Sequence, residues 1–249
     1  MEPSEYELMY RVEQGHWWYQ GMEAITRAVF DHWLPARRDL RVLDAGCGTG
    51  AALANYLKEY GTAMGVDLSP LALDFCRRRN LCRLSRASLL DLPFAPASFD
   101  LVASFDVLYE RAVPSDLAAL RELARVLAPG GFLFLRLPAY DWLRGAHDEV
   151  IHTARRYTVR RTTDLLRQSG LTPLHLTYAN TLLFPLAAGK RLLERLRPAH
   201  KAESDLELRA GRLNGILRGV LAAEASWVSS RGLPFGLSVL ALARKDLQA

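Results

Sequence analysis

Two carboxylates flank a glycine-rich bend. Asp44 stands just ahead of Gly46-Cys47-Gly48-Thr49-Gly50, and Asp67 follows about twenty residues beyond it. The three glycines let the backbone turn sharply and let a ligand come close to the main chain. A helix opening at the bend would point its free N–H groups at whatever lies above. With Ala51 as the last small residue, the bend also fits the dinucleotide pattern G-x-G-x-x-[GA], so the glycines alone leave two ligand classes open. Asp44 separates them. A carboxylate at that point repels a pyrophosphate and suits a cation. S-adenosylmethionine carries an ammonium, a sulfonium and no phosphate, and its one carboxylate can use the loop amides. Asp67 is then placed to hydrogen-bond both ribose hydroxyls, with Leu68 packing on one face of the adenine.

These residues need a rigid sheet beneath them. Val42, Leu43 and Ala45 suit a strand covered on both faces. The spacing predicts strands over 41–45, 63–66, 82–86, 99–104, 132–137, 171–178 and 237–243. Helices are expected over 50–60, 70–79, 115–126 and 158–169, with Ser69 before Pro70 as an N-cap and Gly170 as a stop. Strands alternating with helices imply an α/β, doubly wound parallel sheet closed by an antiparallel pair. Residues 4–34 read as two helices broken near Gly15.

DAGCGTG, followed in order by GVDLS, LPF, SFDLV and LAPGG, resembles the class I S-adenosylmethionine-dependent methyltransferases over roughly residues 38–138. The resemblance implies a seven-stranded Rossmann-like sheet with S-adenosyl-L-methionine as cofactor. It implies cofactor contacts at Asp44, Gly46, Cys47, Gly48, Gly50, Asp67 and Leu68, and at Ser104 and Phe105, which would meet the amino group through a backbone carbonyl. An acid commonly stands where this chain has Ser88. Either Ser88 holds the adenine amino group or Asp91 reaches in, with the Leu89 N–H serving the ring. A similar H-W-W-[YF] stretch precedes the first motif in a bacterial small-molecule subgroup. On that likeness Trp17, Trp18, Tyr19 and Gly21 cover the methionine end, although plain helix packing competes. The subgroup often reads D-V-L-E-H where this chain has Asp106-Val107-Leu108-Tyr109-Glu110, so the histidine is absent.

The stretch after the fifth strand, PAYDWLRGAHDEVIHTARRYT, lacks periodicity and leaves the sheet beside the expected methyl group. His147 is the first candidate for a base, with Asp148 orienting it and His16 and His152 in reserve. Tyr109, Tyr140, His152, Arg155, Arg156 and Tyr157 are the candidate acceptor-side residues. The two arginines suit an acidic group on the acceptor or bridge to acids on a neighbouring helix.

The division expected is an N-terminal helical lid (1–36), a core (37–181 and 231–249) and a helical insertion (182–230). Lys190 to Arg218 holds eight Lys or Arg against four Asp or Glu, most of the net charge of +5. The insertion reads as packing within the monomer, as a cap on the acceptor pocket, as a homodimer face, or as a basic amphipathic surface resting on a membrane. Cys47, Cys76 and Cys82 have no metal-ligand spacing and fit a reduced cytoplasm. The modest charge and the absence of an added binding module argue against nucleic acid. The expected activity is methyl transfer to an oxygen or nitrogen of a small or lipid-linked molecule. A non-catalytic cofactor-binding protein is the alternative.

Overall fold

The computed structural model describes residues 2–145, 148, 152–196 and 211–247. Helices α1 (Pro3–Val12) and α2 (Trp17–Trp33) precede strand β1 (Leu40–Ala45). Then follow α3 (Ala51–Asn55), β2 (Gly61–Asp67), α4 (Pro70–Arg78), β3 (Leu84–Arg86), β4 (Phe99–Phe105), α5 (Asp116–Val126) and β5 (Leu127–Pro138). The chain continues through α6 (Val159–Gln168), β6 (Leu171–Ala179), α7 (Phe184–Leu196), α8 (Asn214–Ala223), α9 (Ala225–Ser230) and β7 (Ser238–Lys245).

The seven strands form one sheet in the order β3-β2-β1-β4-β5-β7-β6. Pairing is parallel from β3 through β5, and β7 runs antiparallel to both of its neighbours. Each face carries its own apolar layer. Leu43, Val102, Leu120, Leu123 and Leu135 lie in one, under α5 and α6. Met22, Ile25, Phe30, Val42, Leu101 and Phe134 lie in the other, under α2, α8 and α9. Burial on both faces is why the central strands read as continuous apolar runs.

The caps follow local chemistry. Ser69 accepts from the Ala72 N–H, Ser115 from Ala118 and Thr158 from Arg161, and Gly170 closes α6 at φ +79°. The first crossover departs from the expected single helix over 50–60. Tyr56 leaves helical geometry at φ −136°, and a 3₁₀ turn (Leu57–Glu59) follows. The break sinks Tyr56 and Leu57 together into the core, at 5% and 0% exposure. In β5 the Pro129-Gly130-Gly131 stretch lies within the strand, where the register with β4 shifts between Phe99 and Leu101. Within the helical insertion expected over 182–230, residues 197–210 lie outside the described residues, and the stretch after them is divided into a short turn, α8 and α9.

Candidate functional site

A cavity of about 1140 Å³ opens at the carboxyl ends of the parallel strands, the usual ligand position in open α/β sheets. Its floor is the glycine bend. The N–H groups of Gly46 and Cys47 both donate to Val66 O, at 2.8 and 2.9 Å, and Gly50 N–H donates to Cys47 O at 2.9 Å. Gly48 N–H donates to Asp67 Oδ2 at 2.9 Å. Gly46 sits at φ +85°, and a Cβ there would run into Val107, so the position requires glycine.

Asp44 is 1% exposed, and its Oδ1 has no hydrogen-bond partner among the described residues. Burial, helped by nearby Asp67 and opposed by Arg136, pushes its carboxyl up to about 8. A buried carboxylate with an unused oxygen facing a cavity is chemically suited to an ammonium. Asp67 Oδ1 accepts the Ser69 N–H at 2.8 Å. Burial raises the Asp67 carboxyl, and the Ser69 and Gly48 amides pull it back. Leu68, Ser88 and Leu89 complete this wall, with Leu68 47% exposed to it.

The roof comes from the N-terminal helices. Tyr6, Met9 and Glu13 of α1 and its cap, and Trp17, Trp18 and Tyr19 of α2, all line the cavity. Glu13 is the fastening point: it accepts the Thr49 hydroxyl at 2.5 Å and pairs with Arg79, whose Nε donates to Thr49 O at 2.9 Å. His16 caps α2, its Nδ1 accepting the Trp18 N–H at 3.3 Å. Arg136 enters from β5. Its Nε donates to Asp106 Oδ2 at 2.6 Å, and its guanidinium lies 4.9 Å from the Trp18 ring centroid and 5.1 Å from that of Phe105.

Part of the wall is aliphatic. Leu183, Leu186 and Ala187 on and before α7, and Leu213 and Leu217 on and before α8, face the cavity. Arg156, Lys190 and Arg191 form its basic rim. Tyr109 and Glu110, from the loop after β4, also line the cavity. Burial raises the Glu110 carboxyl to about 7, with Asp67 adding to the rise.

The cavity therefore gathers Asp44, Gly46, Cys47, Gly48, Asp67, Leu68, Ser88, Leu89, Phe105, Trp17, Tyr19, Tyr109, Arg156 and His16. Other expected site residues do not line it. Gly50 caps α3 behind the bend, where a Cβ would meet Leu81 at 2.7 Å. Gly21 lets α8 approach α2, with a Cβ there 2.6 Å from Leu221. The Ser104 hydroxyl is turned into the sheet and donates to Ala45 O at 2.8 Å. Asp91 is exposed and bonds back to Ser88 O through its N–H.

The acceptor-side expectations need more revision. Asp148 is 5% exposed and forms a two-pronged pair with Arg156, 3.0 Å at each contact, while accepting the Gly145 N–H. His147 lies outside the described residues. His152 Nε2 meets Glu2 at 2.9 Å, away from the cavity. Tyr140 stacks on Tyr178 with ring centroids 5.2 Å apart. Arg155 and Tyr157 both bind Asp116 Oδ1, at 2.5 and 2.8 Å, and Arg155 also reaches the carbonyls of Leu108 and Val113. They brace the loop that carries Tyr109 and Glu110 from behind. Arg136 and Glu13 were not anticipated. A lone arginine inside the apolar strand FLFLRLP was the available signal for the first.

Residues 42–131 match a family model described as a methyltransferase domain. The malonyl-[acyl-carrier protein] O-methyltransferase of Enterobacter lignolyticus is 40% identical over 112 residues, covering 44% of this chain and 43% of that protein. The fatty-acid O-methyltransferase of Mycolicibacterium smegmatis is 36% identical over 118 residues, covering 43% and 42%. The match thus spans less than half the length of these curated relatives. Among solved structures, an S-adenosylmethionine-dependent methyltransferase from Mesorhizobium loti superposes with TM-score 0.59 at 19% identity, over 93% of this chain and 99% of that one. The fold is therefore that of Rossmann-like methyltransferases.

Proposed function

From the methyltransferase domain matched at residues 42–131, we infer that this chain is a class I S-adenosylmethionine-dependent methyltransferase. Its acceptor is a small, largely apolar molecule methylated at oxygen or nitrogen. The observation that carries the reading is Asp44 Oδ1, a buried carboxylate oxygen without a partner among the described residues, on the wall of the cavity above the glycine bend. A pyrophosphate there would add negative charge beside Asp44 and Asp67. An ammonium neutralises it.

S-adenosylmethionine, when bound, supplies a methyl group on a positively charged sulfur. The chain's own part is binding, alignment and exclusion of water. Asp67 accepts two backbone N–H groups and retains lone pairs for the ribose hydroxyls. Leu68 and Leu89 offer apolar faces to the base, with Ser88 at its edge. Trp17, Trp18 and Tyr19 cover the methionine end.

The aliphatic walls from α7 and α8 receive the body of the acceptor, and Lys190 and Arg191 on the rim favour an anionic group on it. The O-methyltransferase names of two relatives support an oxygen acceptor. An acceptor already ionised needs no base. One that is not finds Glu110, whose raised carboxyl takes a proton near neutral pH. Exposed Leu192 and Ile216 on the same insertion support contact with an apolar surface from which such an acceptor is delivered. No helix among the described residues is long and apolar enough to cross a membrane.

Calorimetric titration with S-adenosylhomocysteine, followed by transfer of labelled methyl from the donor to a panel of carboxylic acids, phenols and amines, tests the reading. Binding and a methylated product are expected. Binding of a nicotinamide dinucleotide in its place overturns it.

A further inference from the structure

We propose that Arg136 receives the α-carboxylate of the bound methyl donor while Asp44 receives its ammonium, so that one cavity reads the amino-acid zwitterion with two opposite charges. The inference rests on the donor assignment above and names the residue that holds one end of that donor.

The bend's own amides were the natural receptors for this carboxylate, and four of the five are already used. Those of Gly46 and Cys47 donate to Val66 O, that of Gly50 to Cys47 O and that of Gly48 to Asp67. A carboxylate brought to this floor finds few amides left and gains from a further donor set. Arg136 lines the same cavity and is 9% exposed. Its hydrogen bond to Asp106 uses Nε. Among the described residues Nη1 and Nη2 carry no hydrogen bond, so two nitrogens of a planar donor fork remain to meet a carboxylate.

The fork is set in advance. Trp18 and Phe105 hold the guanidinium by cation–π contact. Asp106 is fixed in turn at φ +56°, with its N–H donating to Arg136 O at 2.9 Å. A side chain already ordered loses little entropy when it binds. Arg136 also acts on Asp44 electrostatically, favouring the ionised carboxylate that an ammonium requires. A positive and a negative group within reach of each other match a zwitterion better than either ion alone.

The acceptor could supply a carboxylate instead, and the test separates the two sources. Three ligands are titrated against wild type, Arg136→Met and Arg136→Lys: S-adenosylhomocysteine, its decarboxylated amine and 5′-methylthioadenosine. Dodecanoate is titrated against protein saturated with S-adenosylhomocysteine. Wild type is expected to prefer S-adenosylhomocysteine over the amine by roughly ten- to a hundredfold, as one charge-assisted pair contributes. Arg136→Met should erase that preference and leave methylthioadenosine affinity unchanged, and Arg136→Lys should restore part of it.

A preference unchanged in Arg136→Met removes the proposal. So does equal weakening of all three ligands, which would mark Arg136 as structural. Loss confined to dodecanoate assigns the arginine to the acceptor and also removes it. If wild type binds none of the three nucleosides, the donor reading itself falls and takes this one with it.

Discussion

The N–H of Gly48 donates to the carboxylate of Asp67 across 2.9 Å. This bond ties the bend after β1 to the acid that ends β2. Asp67 is therefore both part of the floor and a wall group, since its second oxygen is held by Ser69. Two fixed amides aim the remaining lone pairs of the carboxylate at the cavity before any ligand arrives.

Asp67→Ala removes an acceptor and leaves those two amides without one. S-adenosylhomocysteine affinity should fall by about a hundredfold, the loss of two hydrogen bonds to a charged group. Thermal stability should fall by a few degrees with the far-UV circular dichroism spectrum retained. A wild-type dissociation constant by calorimetry would falsify the ribose assignment.

Asp44 predicts the pH dependence of binding. Its carboxyl is raised to about 8 in the free protein, and an ammonium selects the ionised form. Above that pH no proton has to leave. Below it affinity should weaken by up to about tenfold per pH unit. Calorimetry at pH 6.5 and 8.0 is expected to show at least about a tenfold difference, with a proton released at the lower pH. Because the folded-state value lies above the unfolded one, the contribution of Asp44 to folding is present at low pH and fades as pH rises toward 8. Asp44→Asn should thus flatten the binding profile, lower affinity and raise Tm at pH 8. A flat wild-type profile contradicts this account.

Glu13 and Arg79 are 3% and 6% exposed at their side chains, and together with Thr49 they latch α1 to the bend. Arg79→Met strands a buried carboxylate and should cost about 3 kcal/mol. The damage should be local, with faster proteolytic cleavage within residues 2–34 and weaker S-adenosylhomocysteine binding. Restoring much of the lost stability in the double variant Glu13→Gln/Arg79→Met would support the latch. An unaltered cleavage pattern in Arg79→Met argues against it.

Arg155 tests the revised acceptor side. Bound to Asp116 and to the Leu108 and Val113 carbonyls, it behaves as a brace. Arg155→Met should lower stability by about 3 kcal/mol, with S-adenosylhomocysteine affinity within about twofold of wild type once folded. Equilibrium denaturation and calorimetry on the same preparation read both. Full stability combined with a raised KM for the acceptor would return Arg155 to the pocket.

The donor end was readable in the sequence because its chemistry is local: one bend, two acids and the strands flanking them lie within a short stretch. The acceptor end was not, because its partners are distant along the chain. Arg155 in a long aperiodic loop signals importance, but nothing nearby says that its counter-charge is Asp116, 39 positions earlier. Asp148 likewise reads as an orienting acid until Arg156 is seen to occupy both its oxygens. Gly21 and Gly50 show the limit of glycine as a signal: each marks a close approach, made by Leu221 in one case and Leu81 in the other, without telling by what. Arg136 was visible as a misfit among apolar neighbours, yet its role needed Trp18, Asp106 and Asp44 placed around it.

The Asn214 side chain receives the Trp17 N–H and donates to Gly15 O, joining positions up to 199 residues apart. During synthesis the break between α1 and α2 leaves the ribosome long before the residue that stitches it emerges. A nascent chain can lay down most of its parallel strands while this seam is still open. The α2 side of the ceiling is then among the last parts to be fastened, and truncation before Asn214 would leave the seam unsewn even though every residue of the bend is present.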